Sequence, residues 1–520
     1  MKHRHFKIGT RTSLLAWRQS EMVRDLIQSH YPEIDISMEG IQTRGDQIQD
    51  RPLTELEGKD FFVAELDKVL LAGETDFTIH SLKDLSTERP ENIYLAAIPP
   101  RYAPHDILIF APGLFEKDHF PKSLTIGTGS PRRKSCIEKH LAALVPHEDT
   151  LPQVQCQPIR GNVETRLQRL YKPSERFPQV DGVVLAMAGL ERLWSHPETR
   201  KALMPLLENT RHMVLPLTLF PTAPGQAALA IECRADDEQA RRLLEPLHCQ
   251  TTARLVKIER TLLSALGGGC HLPLGATAIT HEHLGEMMWS SAPDQQGELL
   301  TKINWAAESN LPSPAAMTQV IDGVSAKASK ATTSLSFKAS LPKDAHIFVA
   351  HRRALPNSLI QETGERKFWV PGVGTWRKLA SEGLFVTGST DGLGWQRMSL
   401  FQAISLLGLP QPDAWHVLTH DEALGWDDTE VVAHHTYSFE KSKDLGFEKS
   451  LKKSSHVFWG SARQLERYHS VCPTDVHHAC GPGKTADHLV ALGLSNYTIF
   501  PSHSAWQAWI EAPDSKQHHV

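Results

Sequence analysis

Residues 124–133, LTIGTGSPRR, pass from a short apolar run through small residues into a pair of arginines. The first three residues have the length and composition of a buried strand. Ser130 is suited to cap a helix, and Pro131 is suited to the first position inside it. The stretch therefore predicts a strand that turns directly into a helix, with Arg132 and Arg133 in the first helical turn.

The same succession of apolar run, small-residue turn and helical pattern recurs along the first 235 residues. It is found at Phe6–Ile8 before Gly9–Ser13, Phe77–Ile79 before His80–Asp84, Val154–Ile159 before Arg160–Arg166, and Val183–Leu185 before Ala186–Arg192. Strands that alternate with helices predict an α/β fold, in which ligands bind at the carboxyl ends of the strands. Helix N-termini attract anions, so several such turns bearing Arg or Lys predict a ligand with many negative charges.

Composition narrows the class of protein. A chain of 520 residues exceeds a single hydrophobic core, so several domains are expected. The net charge of -5 argues against a nucleic-acid-binding chain, and no apolar stretch is long enough to span a membrane. The seven cysteines form no C-x-x-C pair, and the 28 histidines show no metal-ligand spacing, so no metal is expected. We expect a cytoplasmic monomer without membrane or nucleic-acid partners.

Beyond residue 235 the pattern changes. Helices are expected at Asp237–Leu247 and Thr251–Leu266, followed by a glycine-rich loop, strand-like segments and a helix near Met317–Ala328. A segment of low apolar content then resembles a linker. The rest predicts another α/β unit, with strands expected at His346–Ala350, Leu384–Thr387, His416–Thr419, Glu430–His434, Val457–Trp459 and Tyr497–Phe500.

Several ordered motifs in residues 6 to about 330 resemble the hydroxymethylbilane synthase family, also called porphobilinogen deaminase. The matching segments are Ile8–Ala16, Thr43–Asp46, Gly58–Leu66, His80–Asp84, Arg132–Arg133, Arg160–Arg166, Leu185–Arg192, Ile231–Arg234 and Gly267–Gly275. Each is weak alone, but together they occur in the family's order.

The resemblance implies a fold and a domain organisation. It implies two periplasmic-binding-protein-like α/β lobes and a small α+β cofactor-anchoring domain. The corresponding boundaries are residues 1–100 with 200–235 for lobe 1, 101–199 for lobe 2 and 236–330 for the small domain. A linker at 331–342 would lead to a further α/β unit at 343–520.

The resemblance also implies a chemistry. The family joins four porphobilinogen molecules head to tail with release of ammonia, on a dipyrromethane cofactor attached to a cysteine. Cys270 is the cysteine that lies in the matching loop, and a thiolate is a good nucleophile toward the methylene of a pyrrole that has lost its amino group. Asp84 matches the catalytic carboxylate, which would serve as proton donor, counter-charge and acceptor for pyrrole N–H groups.

Each porphobilinogen carries an acetate and a propionate, and arginine pairs well with such groups. The positions that match the family's cofactor-binding set are Cys270, Lys83, Asp84, Ser130, Arg132, Arg133, Arg160 and Gly161. Those that match its substrate-binding set are Arg11, Ser13, Arg166, Arg192, Lys59 and Phe62. Two departures stand out: Glu55 replaces a lysine of many relatives, and Ala227 lies in a segment that is richer in glycine in the family.

The last third resembles uroporphyrinogen-III synthase, which cyclises hydroxymethylbilane. The matching pieces are His456–Ala462, Ala479–Ala486 and the pair Thr436–Tyr437. They imply a possible second site at Tyr437, Ser461, Lys484 and Thr485. A degenerate domain without catalysis is the alternative, because fold resemblance does not carry function.

Two other interpretations of the whole chain stay open. A two-lobed protein that binds small carboxylates without catalysis would share the architecture. A metal enzyme built on the histidines is disfavoured because no ligand spacing supports it.

Overall fold

Two five-stranded sheets with the same strand arrangement form the first half of the chain. The structure is a computed structural model that describes residues 5–44, 63–115, 120–173, 178–267, 272–311, 319–326, 332–337, 339–361, 365–424, 426, 429–440 and 444–511. The strands are β1 (His5–Arg11), β2 (Asp35–Ile41), β3 (Phe77–Ser81), β4 (Ile93–Ala97), β5 (Asp106–Phe110), β6 (Ser123–Gly127), β7 (Gln153–Gln157), β8 (Gly182–Ala186), β9 (Arg211–Val214) and β10 (Leu229–Arg234). The helices are α1 (Leu14–His30), α2 (Ala64–Leu71), α3 (Pro131–His140), α4 (Val163–Leu167), α5 (Met187–Trp194), α6 (Pro197–Leu207) and α7 (Glu238–Leu244).

The first sheet has the order β2-β1-β3-β10-β4, and the second has the order β7-β6-β8-β5-β9. In each, three parallel strands are joined by an antiparallel strand, β10 in the first and β5 in the second. The chain passes from the first sheet to the second between β4 and β5 and returns between β9 and β10. The mixed α/β fold with periplasmic-binding-protein-like sheets is thereby confirmed.

The strand-to-helix turns form as the sequence predicts. Ser13, Ser130 and Asn162 each cap a helix, accepting hydrogen bonds from the backbone N–H groups of Ala16, Arg133 and Thr165. These caps satisfy N–H groups that have no partner within the helix. The predicted capping role of Ser130 is confirmed.

A small antiparallel sheet follows. Helix α8 (Gln250–Ala265) packs on a meander of β11 (Gly275–His281), β12 (Gly285–Pro293) and β13 (Leu299–Trp305). The buried Glu259 carboxylate accepts hydrogen bonds from the backbone N–H groups of Ala278 and Gly225, at 2.8 and 2.7 Å. One side chain thus ties the small sheet to the segment that returns to the first sheet.

The C-terminal part contains two further sheets. Its strands are β14 (Val320–Asp322), β15 (Thr332–Ser334), β16 (His346–Val349), β17 (Lys367–Val370), β18 (Val386–Ser389), β19 (Trp415–His420), β20 (Val432–Phe439), β21 (His456–Trp459), β22 (His477–Cys480) and β23 (Tyr497–Ile499). Its helices are α9 (Asn357–Gln361), α10 (Val373–Ala380), α11 (Met398–Gln402), α12 (Leu445–Leu451), α13 (Ala462–Tyr468), α14 (Lys484–Ala491) and α15 (His503–Glu511). The sheet orders are β15-β20-β19-β16-β17-β18 and β14-β21-β22-β23.

Two details differ from the expectation. The helix predicted near Met317–Ala328 is wrong over residues 319–326, where β14 pairs in parallel with β21. Val320 and Ile321 are β-branched and fit a pleated sheet better than a helix. Strands β17 and β22, each four residues long, were not predicted from the sequence.

The second sheet and the six-stranded sheet share one hydrophobic core. Phe110 and Leu144 from the first half lie in the same buried cluster as Trp376 and Val386 from the C-terminal part. The Trp376 indole donates a hydrogen bond to the Leu144 carbonyl oxygen at 2.9 Å. Among the described residues, no helix is long and apolar enough to cross a membrane.

Replacing Trp376 with alanine should destabilise both halves at once. The loss should be about 3 to 5 kcal/mol, because a large side chain is removed from a shared core. Urea unfolding followed by fluorescence and by circular dichroism should show one displaced transition for the second sheet and the six-stranded sheet together. Trp376→Phe, which keeps an aromatic ring, should cost less. Separate transitions for the second sheet and the six-stranded sheet, with that of the second sheet unmoved, would contradict the shared core.

Candidate functional site

The turn after β3 carries Lys83 and Asp84 in a short 3-10 helix, Leu82–Asp84. Both side chains are half-buried. The Arg260 guanidinium from α8 donates to the carbonyl oxygens of Leu82 and Leu85, at 3.1 and 3.0 Å. The turn is therefore held from the small domain, by a residue that the sequence analysis did not single out.

Two buried arginines at the start of α3 share one carboxylate. Arg133 donates to both Asp106 oxygens, at 2.7 and 3.2 Å, and Arg132 donates to Asp106 Oδ2 at 2.9 Å. Burial alone would raise the pKa of Asp106, but the two guanidiniums outweigh it and hold that pKa below its ordinary value of 3.8. The family resemblance assigns both arginines to external carboxylates, and their pairing with Asp106 was not predicted.

Gln226 extends this network to the neighbouring turn. Its amide nitrogen donates to Asp106 Oδ1 at 2.8 Å and to the Pro104 carbonyl oxygen at 2.7 Å. Its amide oxygen lies 3.5 Å from the Lys83 ammonium. Gln226 and Asp106 are both about 1% exposed. Lys83 on the first sheet is thus linked through buried groups to the arginines of the second.

The turn after β7 carries two more cations, Arg160 and Arg166. The Arg166 Nε donates to the Gly161 carbonyl oxygen at 2.8 Å. Gly161 has a φ of +108°, and a Cβ there would lie 2.8 Å from Thr165 Cγ2, so only glycine fits. Burial, together with the charges of Arg133 and Arg160, lowers the pKa of Arg166 to about 10, while Asp84 opposes the shift.

The cations act on one another across the two lobes. Burial and the charges of Arg133 and Arg132 lower the pKa of Lys83 to about 8, although Asp84 and Asp106 raise it. The group comprises Lys83, Arg132, Arg133, Arg160 and Arg166, with the carboxylates of Asp84 and Asp106; we call it the cation cluster. Five cations and two carboxylates leave an excess of positive charge, and bound carboxylate groups would relieve it.

Three further residues of the sequence-based set are Arg11, Ser13 and Arg192. The Arg192 guanidinium is buried, donates to the Ala227 carbonyl oxygen at 2.6 Å and stacks over the Tyr102 ring. Arg11 ends β1, where its charge helps to lower the pKa of His80 to about 3, after burial and Arg89. Ser13 is occupied as the cap of α1. The substrate roles of Arg11, Ser13 and Arg192 stay predictions.

Four positions singled out from the sequence lie outside the described residues: Cys270, Lys59, Phe62 and Glu55. Ala227, the other departure from the family pattern, is described. Its φ of +71° lies in the left-handed region that favours glycine. The usual cost for a non-glycine residue there is about 1 to 2 kcal/mol, which accounts for glycine in the family's pattern.

The C-terminal candidates are engaged in packing. Tyr437 is buried against the rings of His420 and Phe439. Ser461 caps α13, accepting from the Gln464 N–H. The Lys484 ammonium lies 3.2 Å from the Trp426 ring centroid and donates to the Leu424 carbonyl oxygen at 2.9 Å. Thr485 is half-buried in the first turn of α14. A shared site of these four residues stays a prediction.

Comparison with known proteins identifies the first half. Residues 6–242 match the family model described as "Porphobilinogen deaminase, dipyromethane cofactor binding domain". The chain is 37% identical to porphobilinogen deaminase of Brevibacillus brevis over 278 residues, 54% of this chain and 81% of that protein. It is 41% identical to porphobilinogen deaminase of Roseiflexus sp. over 271 residues, 52% of this chain and 80% of that protein.

Asp106→Asn should destabilise the protein by about 3 to 5 kcal/mol at pH 7, because it leaves two buried guanidiniums without their counter-charge. The folded pKa of Asp106 is depressed, so its contribution is present above the unfolded pKa of about 3.9 and is lost as the pH falls further. Urea unfolding from pH 7 to pH 3 should show this acid-side loss in the parent chain and a smaller one in the variant. The control change Asp236→Asn, at an exposed turn, should leave both the stability at pH 7 and its acid-side loss unchanged. Equal stability of the parent and Asp106→Asn chains would contradict the role of Asp106 as the counter-charge of Arg132 and Arg133.

Proposed function

The chain belongs to the porphobilinogen deaminase family, and from that premise we propose that its first 330 residues join four porphobilinogen molecules into hydroxymethylbilane, releasing ammonia at each addition. The observation that carries the proposal is the cation cluster around Asp84. The family model names a dipyrromethane cofactor. When bound, this group supplies the pyrrole to which the first porphobilinogen is joined.

The described residues fit such a group. A dipyrromethane carries several carboxylates, and the excess positive charge of the cation cluster is the complement that they require. Arg166 and Arg160 approach from the turn after β7, and Lys83 approaches from the turn after β3. Arg132 and Arg133 are already paired with Asp106, so we assign them first to building the site and only their remaining N–H groups to the ligand.

Asp84 is the carboxylate that we assign to the chemistry. It is half-buried beside Lys83 and acts electrostatically on Arg166. There its oxygens can accept hydrogen bonds from pyrrole N–H groups, and its acid form can give a proton to the departing amine. Partial exclusion from water strengthens both interactions.

Asp84→Asn should lower the rate of ammonia release by about 10²- to 10⁴-fold, the usual contribution of a general acid–base group. The matched control is Glu88→Gln, an exposed carboxylate four residues along the chain, which should leave the rate unchanged. Circular dichroism would verify that both variants fold. The rival interpretation, a carboxylate-binding protein without catalysis, requires no ammonia release by the parent chain and unchanged ligand binding in Asp84→Asn.

Cys270 is the residue to which we assign the dipyrromethane. The sequence around it, GGGCHLPLG at 267–275, supports this assignment by resemblance, and its glycines would permit close approach of the rings.

The intact mass of the protein tests that attachment. Expressed in a host that makes porphobilinogen, the chain should exceed its sequence mass by one dipyrromethane, and Cys270→Ser should not. Cys249→Ser removes a partly exposed thiol from the start of α8 and should keep the adduct. A parent chain at its bare mass, or an adduct retained in Cys270→Ser, would refute the attachment.

For the C-terminal part we propose a uroporphyrinogen-III synthase-like unit that cyclises the linear product. Two α/β sheets with small-residue turns at the starts of α13 and α14 support it, because backbone N–H groups at such positions can hold carboxylates. An active deaminase with a non-catalytic C-terminal unit is the alternative, and the structural engagement of Tyr437, Ser461 and Lys484 favours it.

Product analysis separates these two alternatives. A chain with cyclase activity should convert porphobilinogen mainly into the type III isomer of uroporphyrinogen, since spontaneous closure gives type I. Lys484→Gln should shift the products toward type I if the turn at α14 binds substrate. Accumulation of type I by the parent chain would leave the deaminase proposal intact and refute the cyclase.

The domain limits given above, at residues 100, 199, 235, 330 and 342, stay proposals, as do the cytoplasmic location and the monomeric state. The substrate that the family implies is porphobilinogen, and neither a membrane nor a nucleic acid is indicated as a partner.

A further inference from the structure

A cavity of about 430 Å³ lies where the C-terminal part meets the first half. One wall consists of Arg101, Tyr102 and Ala103, which follow β4, together with Thr280, His281 and Glu282 at the end of β11. The opposite wall runs from Leu393 to Ala403. None of the lining residues belongs to the cation cluster or to the C-terminal candidate set.

Two cations line this junction cavity. Arg397 is half-buried, and among the described residues its guanidinium makes no hydrogen bond or ion pair. The Arg101 side chain is 7% exposed; it pairs with Glu259 at 2.9 Å, and its Nη1 atom is buried without a hydrogen-bond partner. A buried guanidinium that is not fully paired costs free energy unless an anion or a polar group satisfies it.

Three other polar lining residues, His281, Ser399 and Glu282, are occupied or lie at the rim. His281 Nε2 donates to the Leu393 carbonyl oxygen at 3.3 Å, and its Nδ1 accepts from the His283 N–H at 3.2 Å. The Ser399 hydroxyl donates to the Gln396 carbonyl oxygen. Glu282 is the one carboxylate among the lining residues, and its side chain is 60% exposed. The interior thus offers positive charge next to apolar surface from Leu393, Leu400 and Ala103.

We propose that the junction cavity binds an organic carboxylate with an apolar body, whose carboxylate pairs with Arg397. Porphobilinogen and its linear products belong to this chemical class, so in that respect the inference rests on the proposed function. Because the walls come from both parts of the chain, a bound carboxylate stabilises the junction. Burial lowers the pKa of Arg397 against the opposing charge of Asp391, but an arginine keeps its charge at neutral pH, as carboxylate binding requires.

The probe for this site is 3-phenylpropionate, which joins one carboxylate to an apolar ring, with neutral 3-phenylpropanamide as its control. Isothermal titration of the full chain should show a carboxylate-dependent site that weakens about tenfold or more in Arg397→Gln. The matched control is Arg377→Gln, an exposed arginine on α10, which should bind as the parent does. The carboxylate should also raise the Tm of the parent chain and not that of Arg397→Gln.

A second variant guards against misfolding of the first. Ala403 is an exposed lining residue, so Ala403→Trp should fill the cavity without disturbing the core, and it too should abolish the Arg397-dependent site. Undiminished binding in either folded variant, or no binding by the parent, would overturn the proposal. Ammonia release measured on the same preparations separates the outcomes: activity without Arg397-dependent binding refutes the cavity alone, and inactivity of the parent refutes the deaminase.

Discussion

The buried Asp106 carboxylate is the group on which the site is built. Without this carboxylate, Arg132 and Arg133 would repel each other and would be costly to bury. The two guanidiniums in turn stabilise the charged form of Asp106, which lowers its pKa. The position of Asp106 also matters. It begins β5, the first strand after the chain enters the second sheet, so the same residue fixes both the arginines and the start of that sheet.

The two crossings between the sheets meet at this carboxylate. Pro104 lies in the first crossing and Gln226 in the second, and Gln226 bonds to the Pro104 carbonyl oxygen and to Asp106 together. Because the chain crosses between the sheets at these two places, a rotation of one sheet against the other must bend them. Through these contacts Gln226 helps to fix the position of Lys83 relative to Arg133, which shares the Asp106 carboxylate. The chemistry of the cluster and the mechanics of the two lobes therefore depend on the same few hydrogen bonds.

The sequence predicted those features of the fold that interactions between neighbouring residues determine. The turn at residues 124–133 was predicted in detail, down to the Ser130 cap, because capping and proline position act within four residues. Asp106 and Gln226 were missed because they are 120 residues apart and their pairing is set by the crossing of the lobes. One signal was available: an aspartate at the start of the apolar run Asp106–Phe110 must find a partner if the strand is buried. The helix predicted near Met317–Ala328 failed for the related reason that β14 is stabilised by β21, more than 130 residues away.

The junction between the first half and the C-terminal part is likewise formed by residues that are far apart in the sequence. His105, one residue before Asp106, lies 3.1 Å from the Asp391 carboxylate of the C-terminal part, and Asp391 also accepts from the Thr218 N–H. Glu191 on α5 accepts from the Ser405 hydroxyl and the Leu406 N–H, at 2.8 and 2.9 Å. The C-terminal part is thus attached to the second lobe through residues adjacent in sequence to the site's own. Only one peptide unit separates His105, which contacts the C-terminal part, from Asp106. The C-terminal part therefore constrains the geometry of the cation cluster whether or not it catalyses a reaction itself.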